Sequence, residues 1–233
     1  MTVIPVGAIA NSAALAVGGL IGAAIGGKLS SSAKSMLTSV MGLCALAIAI
    51  VNIAKLSSLP AVVLSVILGV IAGELLDLDR LVKNAVTKIM GRSQANEEWL
   101  TQFCVIITLF AVSGTGVFGI LKEGFEGDSS ILIAKAVLDF FTAIVFATTL
   151  GKAVSAISVP QFSIYLALFF LARLLYPLIS QTQILNFSAI GGMVDLGVGF
   201  TMLGVKKFKT INFLPAFVFV FPATLLFELA FGK

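Results

Sequence analysis

An all-α polytopic membrane protein of about eight transmembrane helices is the fold class this sequence predicts. The first observation is composition: 59 % of the 233 residues are hydrophobic and 11 % charged, with a mean hydropathy of +1.12, whereas a soluble domain is about one-quarter charged. The second is periodic: apolar runs of roughly 20 residues, the length that crosses a bilayer as helix, recur along the chain. The third is where the bases fall, in the short connections between those runs. Histidine is absent, which excludes imidazole bases, Ser-His-Asp or Cys-His nucleophile systems and the usual His-containing zinc sites. The chain reads as a single integral membrane domain over 1–233 and not as an enzyme. The net charge of +4 forms no basic patch of the kind that binds nucleic acid.

The first span is expected over 3–27. It has no positive leader, since Lys28 is its first base, so it is read as a retained span and not a cleaved signal. Gly18, Gly22 and Gly26 repeat at GxxxG spacing, which predicts close helix packing, and Asn11 is its one strongly polar side chain. Spans two and three are expected over 36–54 and 60–78. The stretch 79–99 differs: Leu78, Leu81, Val82, Ala85, Val86 and Ile89 recur at helical spacing among Arg80, Lys83, Lys88 and Arg92, the pattern of an amphipathic helix on a membrane face. Five further spans are expected over 101–121, 131–151, 161–180, 186–205 and 212–231.

The bases orient these spans. Lys28, Lys34, Arg80, Lys83, Lys88, Arg92, Lys152, Lys206, Lys207 and Lys209 follow the odd-numbered spans, against Lys55, Lys122 and Lys233 on the other side. By the positive-inside rule both termini lie outside and 79–99 lies in the cytoplasm. Cys44 and Cys104 fall within apolar runs without C-x-x-C spacing and read as small buried hydrophobes, and no metal site is expected.

Spans two and seven align at an offset of 150: Thr38 with Ser188, Val40 with Ile190, Gly42 with Gly192, Leu43 with Met193 and Ala49 with Gly199. Spans three and eight align at an offset of 155, where Pro60-Ala61-Val62-Val63 meets Pro215-Ala216-Phe217-Val218. A shift of five spans inverts the second copy in the membrane, so the pattern predicts an inverted repeat, a feature of secondary transporters whose sites lie where the halves meet.

An ionised group at the bilayer centre costs at least about 2.5 kcal/mol, so each needs a partner or a wet cavity. Lys135 and Asp139 are i, i+4 on one helix face, continued by Thr142. Ser113, Gly114, Thr115 and Gly116 would interrupt span four and open backbone groups to a ligand or ion, the alternative being a packing notch. Counted inward at about 1.5 Å per residue, these residues share one layer with Asn11, Arg173 and Asp195. That layer is the candidate substrate- or ion-binding site, the alternative being internal salt bridges that hold helix register. Glu74 and Glu228, near span ends, read as solvated. In the acidic loop 123–130, Asp128 or a neighbouring serine is expected to cap span five, or the loop draws cations to an outer vestibule.

The segments S-G-T-G-V-F-G (113–119), E-G-F-E-G-D (123–128) and S-I-L-I-A-K-A-V-L-D-F-F-T-A-I-V-F-A-T-T-L-G (130–151) resemble the YqgA-type family of bacterial inner-membrane proteins, grouped as domain of unknown function 554. The resemblance extends over essentially the whole chain and implies a multi-pass protein of the bacterial inner membrane. It implies no activity, so no functional residue is carried over from it.

The expectation is therefore a secondary transporter of a small solute or ion, without a cofactor but compatible with coupling to protons or Na+. Its partners would be the lipid bilayer and the solute, and a homo-oligomer fits equally. The alternatives are an ion channel, which needs a continuous polar stripe, and a non-transporting structural or regulatory membrane protein. Lipid enzymology ranks last, since no nucleophile-base pair is present.

Overall fold

The computed structural model describes residues 4–28, 30–82, 84, 97–111, 113–175 and 178–231. Among them there are helices and turns but no strand. The helices are α1 (Val6–Ile25), α2 (Ser31–Ile53), α3 (Leu59–Leu75), α4 (Glu97–Ala111), α5 (Gly114–Glu126), α6 (Ser130–Leu150), α7 (Ser158–Leu175), α8 (Gln181–Met202) and α9 (Ala216–Phe231). A one-turn helix, Ala153–Ala156, precedes α7, and a 3-10 turn, Thr210–Phe213, precedes α9. Six of the described helical segments are long and apolar enough to cross a bilayer, and α3 is a shorter apolar helix of 17 residues. The outside of the bundle is hydrocarbon, with Leu20, Ile50, Leu75, Val137, Val218 and Leu229 all exposed. In water such a surface would aggregate; in lipid it is the solvent-matched face of a multi-pass membrane protein.

Several boundaries shift from their sequence-based positions. The run 101–121 is divided between α4 and α5, with Ser113 in extended conformation between them (φ −61°, ψ 144°). The sixth predicted span, 161–180, corresponds to α7, Ser158–Leu175, with residues 179–180 outside any helix. Of the stretch 79–99, residues 83 and 85–96 lie outside the described residues, so the expected amphipathic helix is described only at its two ends. There Val82 and Trp99 pack against a core containing Leu15, Phe103, Ile106, Phe146 and Val154.

Small residues set how the helices dock. Gly18 and Gly22 bring α1 onto α6: a Cβ at either position would collide with the backbone oxygens of Phe140 and Ile144. Contacts at Gly7 with Leu132, Gly18 with Ala143 and Gly26 with Thr148 advance together along both chains, so α1 and α6 are parallel. The GxxxG expectation is met here by dispersion across closely apposed backbones. Helices α2 and α8 are antiparallel, with Gly42 against Gly199 and Ala49 against Gly192, and α3 crosses α9 antiparallel, with Gly69 against Ala216.

Polar side chains tie down the two ends of the bundle. At the end where α1 begins, Gly7 N donates to Glu123 Oε1 at 2.7 Å and the Ser129 hydroxyl donates to the same oxygen at 2.7 Å. Glu123 is buried, so this carboxylate serves one of the unpaired first N–H groups of α1, that of Gly7, instead of a vestibule. Asp128, one residue before the N-cap Ser129, accepts from Ser130 N at 2.9 Å, while the N-cap side chain itself makes no capping bond. Also at this end, Asn186 Oδ1 accepts from Ser57 N and Ser58 N and its amide donates to the Thr224 hydroxyl. At the opposite end Lys34 Nζ donates to the Thr148 carbonyl and Lys209 pairs with Glu74 at 2.9 Å, both partners about half exposed. Glu228, expected to be solvated, is half-buried, and its Oε1 accepts from the Ser180 hydroxyl at 3.4 Å.

Candidate functional site

The break between α4 and α5 builds the site. A helix that stops leaves its last carbonyls without partners, and Phe110 O, one residue before the end of α4, is served by two side chains of α7: Gln161 Nε2 at 3.0 Å and Tyr165 OH at 3.1 Å. Ser113 starts α5, its hydroxyl accepting from Gly116 N at 3.2 Å. Gly114 and Thr115 form the first turn of α5. Gly116 is required sterically, because a Cβ there would overlap the Tyr165 hydroxyl and lie 2.9 Å from Lys135 Cε.

Asp139, on α6, is the hub. Its Oδ2 accepts from Lys135 Nζ at 2.5 Å and from Asn11 Nδ2 at 2.8 Å, with Gln161 Nε2 further off at 3.5 Å. Gln161 Nε2 also donates to Asn11 Oδ1 at 2.7 Å. The Lys135 ammonium stands 6.0 Å from the centroid of the Phe110 ring. Lys135, Asp139, Asn11 and Gln161 are all buried. A buried ion pair of this kind persists only because amide donors complete its hydrogen bonding.

A cavity of about 90 Å³ adjoins the pair, lined by Ser113, Lys135, Asp139, Thr142 and Asp195 and by apolar side chains including Met41, Cys44 and Phe141. It has room for a few waters or one small ligand. Asp195 enters from α8. It is 2 % exposed, and neither of its carboxyl oxygens has a hydrogen-bond partner. Thr142 Oγ1 donates to the Leu138 carbonyl at 2.7 Å and contacts Met41 Sδ at 3.4 Å. Beyond that contact a larger vestibule of about 540 Å³ opens among α2, α6 and α8, lined by Lys34, Lys207 and the hydroxyls of Ser35, Thr38, Thr149 and Thr201.

The structure thus brings together Asn11, Ser113, Gly116, Lys135, Asp139, Thr142 and Asp195, with Gly114 and Thr115 in the turn between. Arg173 stands apart: its guanidinium lies over the Phe169 ring at 5.4 Å, and it does not line the cavity. It is 12 residues beyond Gln161, roughly 18 Å of helix rise. Without it, the formal charge of Lys135, Asp139 and Asp195 is −1 in place of the zero that four charges would give. Gln161, Tyr165 and the Phe110 carbonyl belong to the site and were not among the expected residues. Gln161 had a signal, since it stands 150 positions from Asn11, the offset at which spans two and seven align.

A helical bundle with a lipid-matched exterior and a buried polar centre defines a multi-pass membrane protein. Residues 6–225 match the family described as "Protein of unknown function (DUF554)", and the chain belongs to that family. It is 40 % identical over 223 residues to "Uncharacterized protein YqgA" of Escherichia coli (strain K12), covering 93 % of this chain and 95 % of that one. It is 27 % identical over 231 residues to "Uncharacterized membrane protein YdfK" of Bacillus subtilis (strain 168), covering 97 % and 98 %. No solved structure matches.

Proposed function

We propose that this protein is a secondary transporter of a small solute or ion in the bacterial inner membrane, with two inverted halves meeting at the Asp139 cluster. The observation that carries the reading is that buried charge coincides with a pseudo-two-fold crossing. In a two-fold arrangement every contact from i to the partner of j recurs from j to the partner of i. Taking 150 as the offset, the contact of Gly42 with Gly199 has as its counterpart the contact of Ala49 with Gly192, and both are made. Asn11 and Gln161 are each other's equivalents and hydrogen-bond directly. The pseudo-axis then passes between Asn11 and Gln161 and close to Asp195, the middle of the α2 and α8 crossing.

In this reading α4 and α5 are the halves of one interrupted span, making eight crossings with both termini outside. The vestibule holding Lys34 and Lys207 faces the cytoplasm, and Met41 with Thr142 closes the passage from it to the cavity. Rocking of the halves would exchange that opening for one on the other face, as in other inverted-repeat carriers. No bond-making chemistry is assigned to the site.

A second reading, a non-transporting structural membrane protein, draws support from how completely Lys135, Asn11 and Gln161 satisfy Asp139. Asp195 counts against it, since a purely structural layer has no use for a carboxylate without partners. Reconstituted protein should take up a member of a small-metabolite panel into liposomes, and Asp139→Asn should abolish that uptake. Uptake unchanged in Asp139→Asn would sink the site assignment. No uptake of any panel member, with Asp139→Asn affecting stability alone, would favour the structural reading.

A further inference from the structure

We propose that Asp195 is a proton-carrying carboxyl: it holds one proton in the cavity it shares with Lys135 and Asp139, and releases it when that cavity fills with water. Its role as the coupling group rests on the transporter reading; the protonation itself does not. A carboxylate buried without hydrogen bonds is among the costliest groups to keep charged, and it neutralises in preference to paying full desolvation. No cationic side chain is left to neutralise it. Lys135 is already bound to Asp139 at 2.5 Å, so the three ionisable groups are one positive charge short of balance.

The cavity lining selects the cation that supplies that charge. A bare metal cation would need several oxygen ligands to replace its hydration shell. Besides the carboxyls, the cavity offers, among the described residues, only two side-chain oxygens, the Ser113 hydroxyl, which already accepts from Gly116 N, and the Thr142 hydroxyl. With Asp139 bound to Lys135, these are too few to complete a shell of about six or more. Much of the remaining wall is thioether, thiol and hydrocarbon from Met41, Cys44, Leu109 and Phe141, and the Lys135 ammonium repels a second cation. A proton needs no shell and leaves a neutral carboxylic acid.

The titratable groups facing Asp195 are few. Lys135 and Asp139 face it from α6 and the Cys44 thiol from α2, with the Tyr165 phenol of α7 behind Asp139 and interacting with both carboxyls. Among the described residues, α3, α4, α5, α9 and the 3-10 turn contribute no titratable side chain to the cavity. The vestibule at Lys34 and Lys207 lies about one helix turn from this cavity along α2 and α6, on the far side of the contact of Met41 with Thr142.

Infrared difference spectroscopy of the purified full-length protein across a pH titration tests this. The expected result is a protonated-carboxyl C=O band at neutral pH that disappears in Asp195→Asn, a nearly isosteric neutral replacement. Wild type should also lose thermal stability relative to Asp195→Asn as the pH is raised. A band that is absent at neutral pH, or unchanged in Asp195→Asn, overturns the proposal. Stoichiometric binding of radioactive Na+ that is lost in Asp195→Asn overturns it in favour of a metal cation. If the band behaves as expected but proteoliposomes take up no solute, the protonated carboxyl stands and the transporter reading falls. Solute uptake without the band gives the reverse result.

Discussion

Asn11 and Gln161, on α1 and α7 and 150 positions apart, hydrogen-bond each other at 2.7 Å while Asn11 donates to Asp139 Oδ2 at 2.8 Å. The two amides form a bridge that carries the ion pair on α6 and the broken end of α4 at once, because Gln161 also donates to Phe110 O. Removing either one strands buried partners, at about 1–3 kcal/mol each. Asn11→Ala and Gln161→Ala should therefore each lower the thermal midpoint in detergent. The double variant should be less destabilised than the two singles added together, since the partners share one network. Strict additivity would show that the bridge is not a unit.

Lys135 and Asp139 should respond asymmetrically. Breaking a buried pair from one side costs about 3–5 kcal/mol, because the other charge stays behind, whereas replacing both with apolar residues is often near neutral. Lys135→Met alone should reduce the yield of folded protein severely. Adding Asp139→Leu should restore folding, judged by monodispersity on size-exclusion chromatography, without restoring uptake.

Gly116→Ala places a methyl group where the Tyr165 hydroxyl sits. Overpacking of this kind costs about 1–3 kcal/mol. Tyr165→Phe deletes the colliding oxygen and should recover part of the lost stability in the Gly116→Ala background. The same change in the wild-type background should destabilise, because Phe110 O loses a donor. A sign reversal between the two backgrounds, read as thermal midpoints, is the expected outcome.

The loop between α5 and α6 predicts a pH response. Lys122 lies 2.8 Å from Asp128, and together with the hydroxyl and N–H of Ser130 it holds the Asp128 carboxyl well below the ordinary carboxylate range. A group depressed on folding contributes stability that is present above its unfolded pKa, about 3.9, and lost as pH falls through its folded value. Lys122→Gln should thus lower stability slightly at neutral pH, and the difference from wild type should fade only at strongly acid pH, as the folded Asp128 carboxyl takes up its proton. The site is exposed, so the effect should also shrink at high salt. An effect that grows toward acid would contradict this assignment.

Counting residues inward from span ends placed Asn11, Ser113, Lys135, Asp139 and Asp195 in one layer, because helix rise is constant and depth is additive along a chain. Arg173 fell out because its helix ends at Leu175 and not near 180, so an apparently deep arginine is a near-terminal one; Pro177 in the sequence was the available stop signal. Gln161 was missed because it lay at the first position of the predicted span, whereas the apolar segment runs from Ala153 to Leu175 and carries Gln161 eight residues in from its start. Glu123 looked like one of a set of loop acids. Only the docking of the first turn of α1 onto it made it a buried acceptor.

Hydropathy, base placement and the 150-residue offset are properties of residue order, and they suffice for a membrane-embedded helical bundle, for the elements that carry its polar groups and for the suggestion of two related halves. Azimuth is different. Which face of a helix meets which neighbour depends on small residues such as Gly18, Gly22, Gly116 and Gly199 admitting a backbone or a hydroxyl at close range, and no one-dimensional count contains that. The docking of those faces left Lys135 committed to Asp139 and Asp195 with no partner, so a layer that balanced on paper became a cavity one positive charge short.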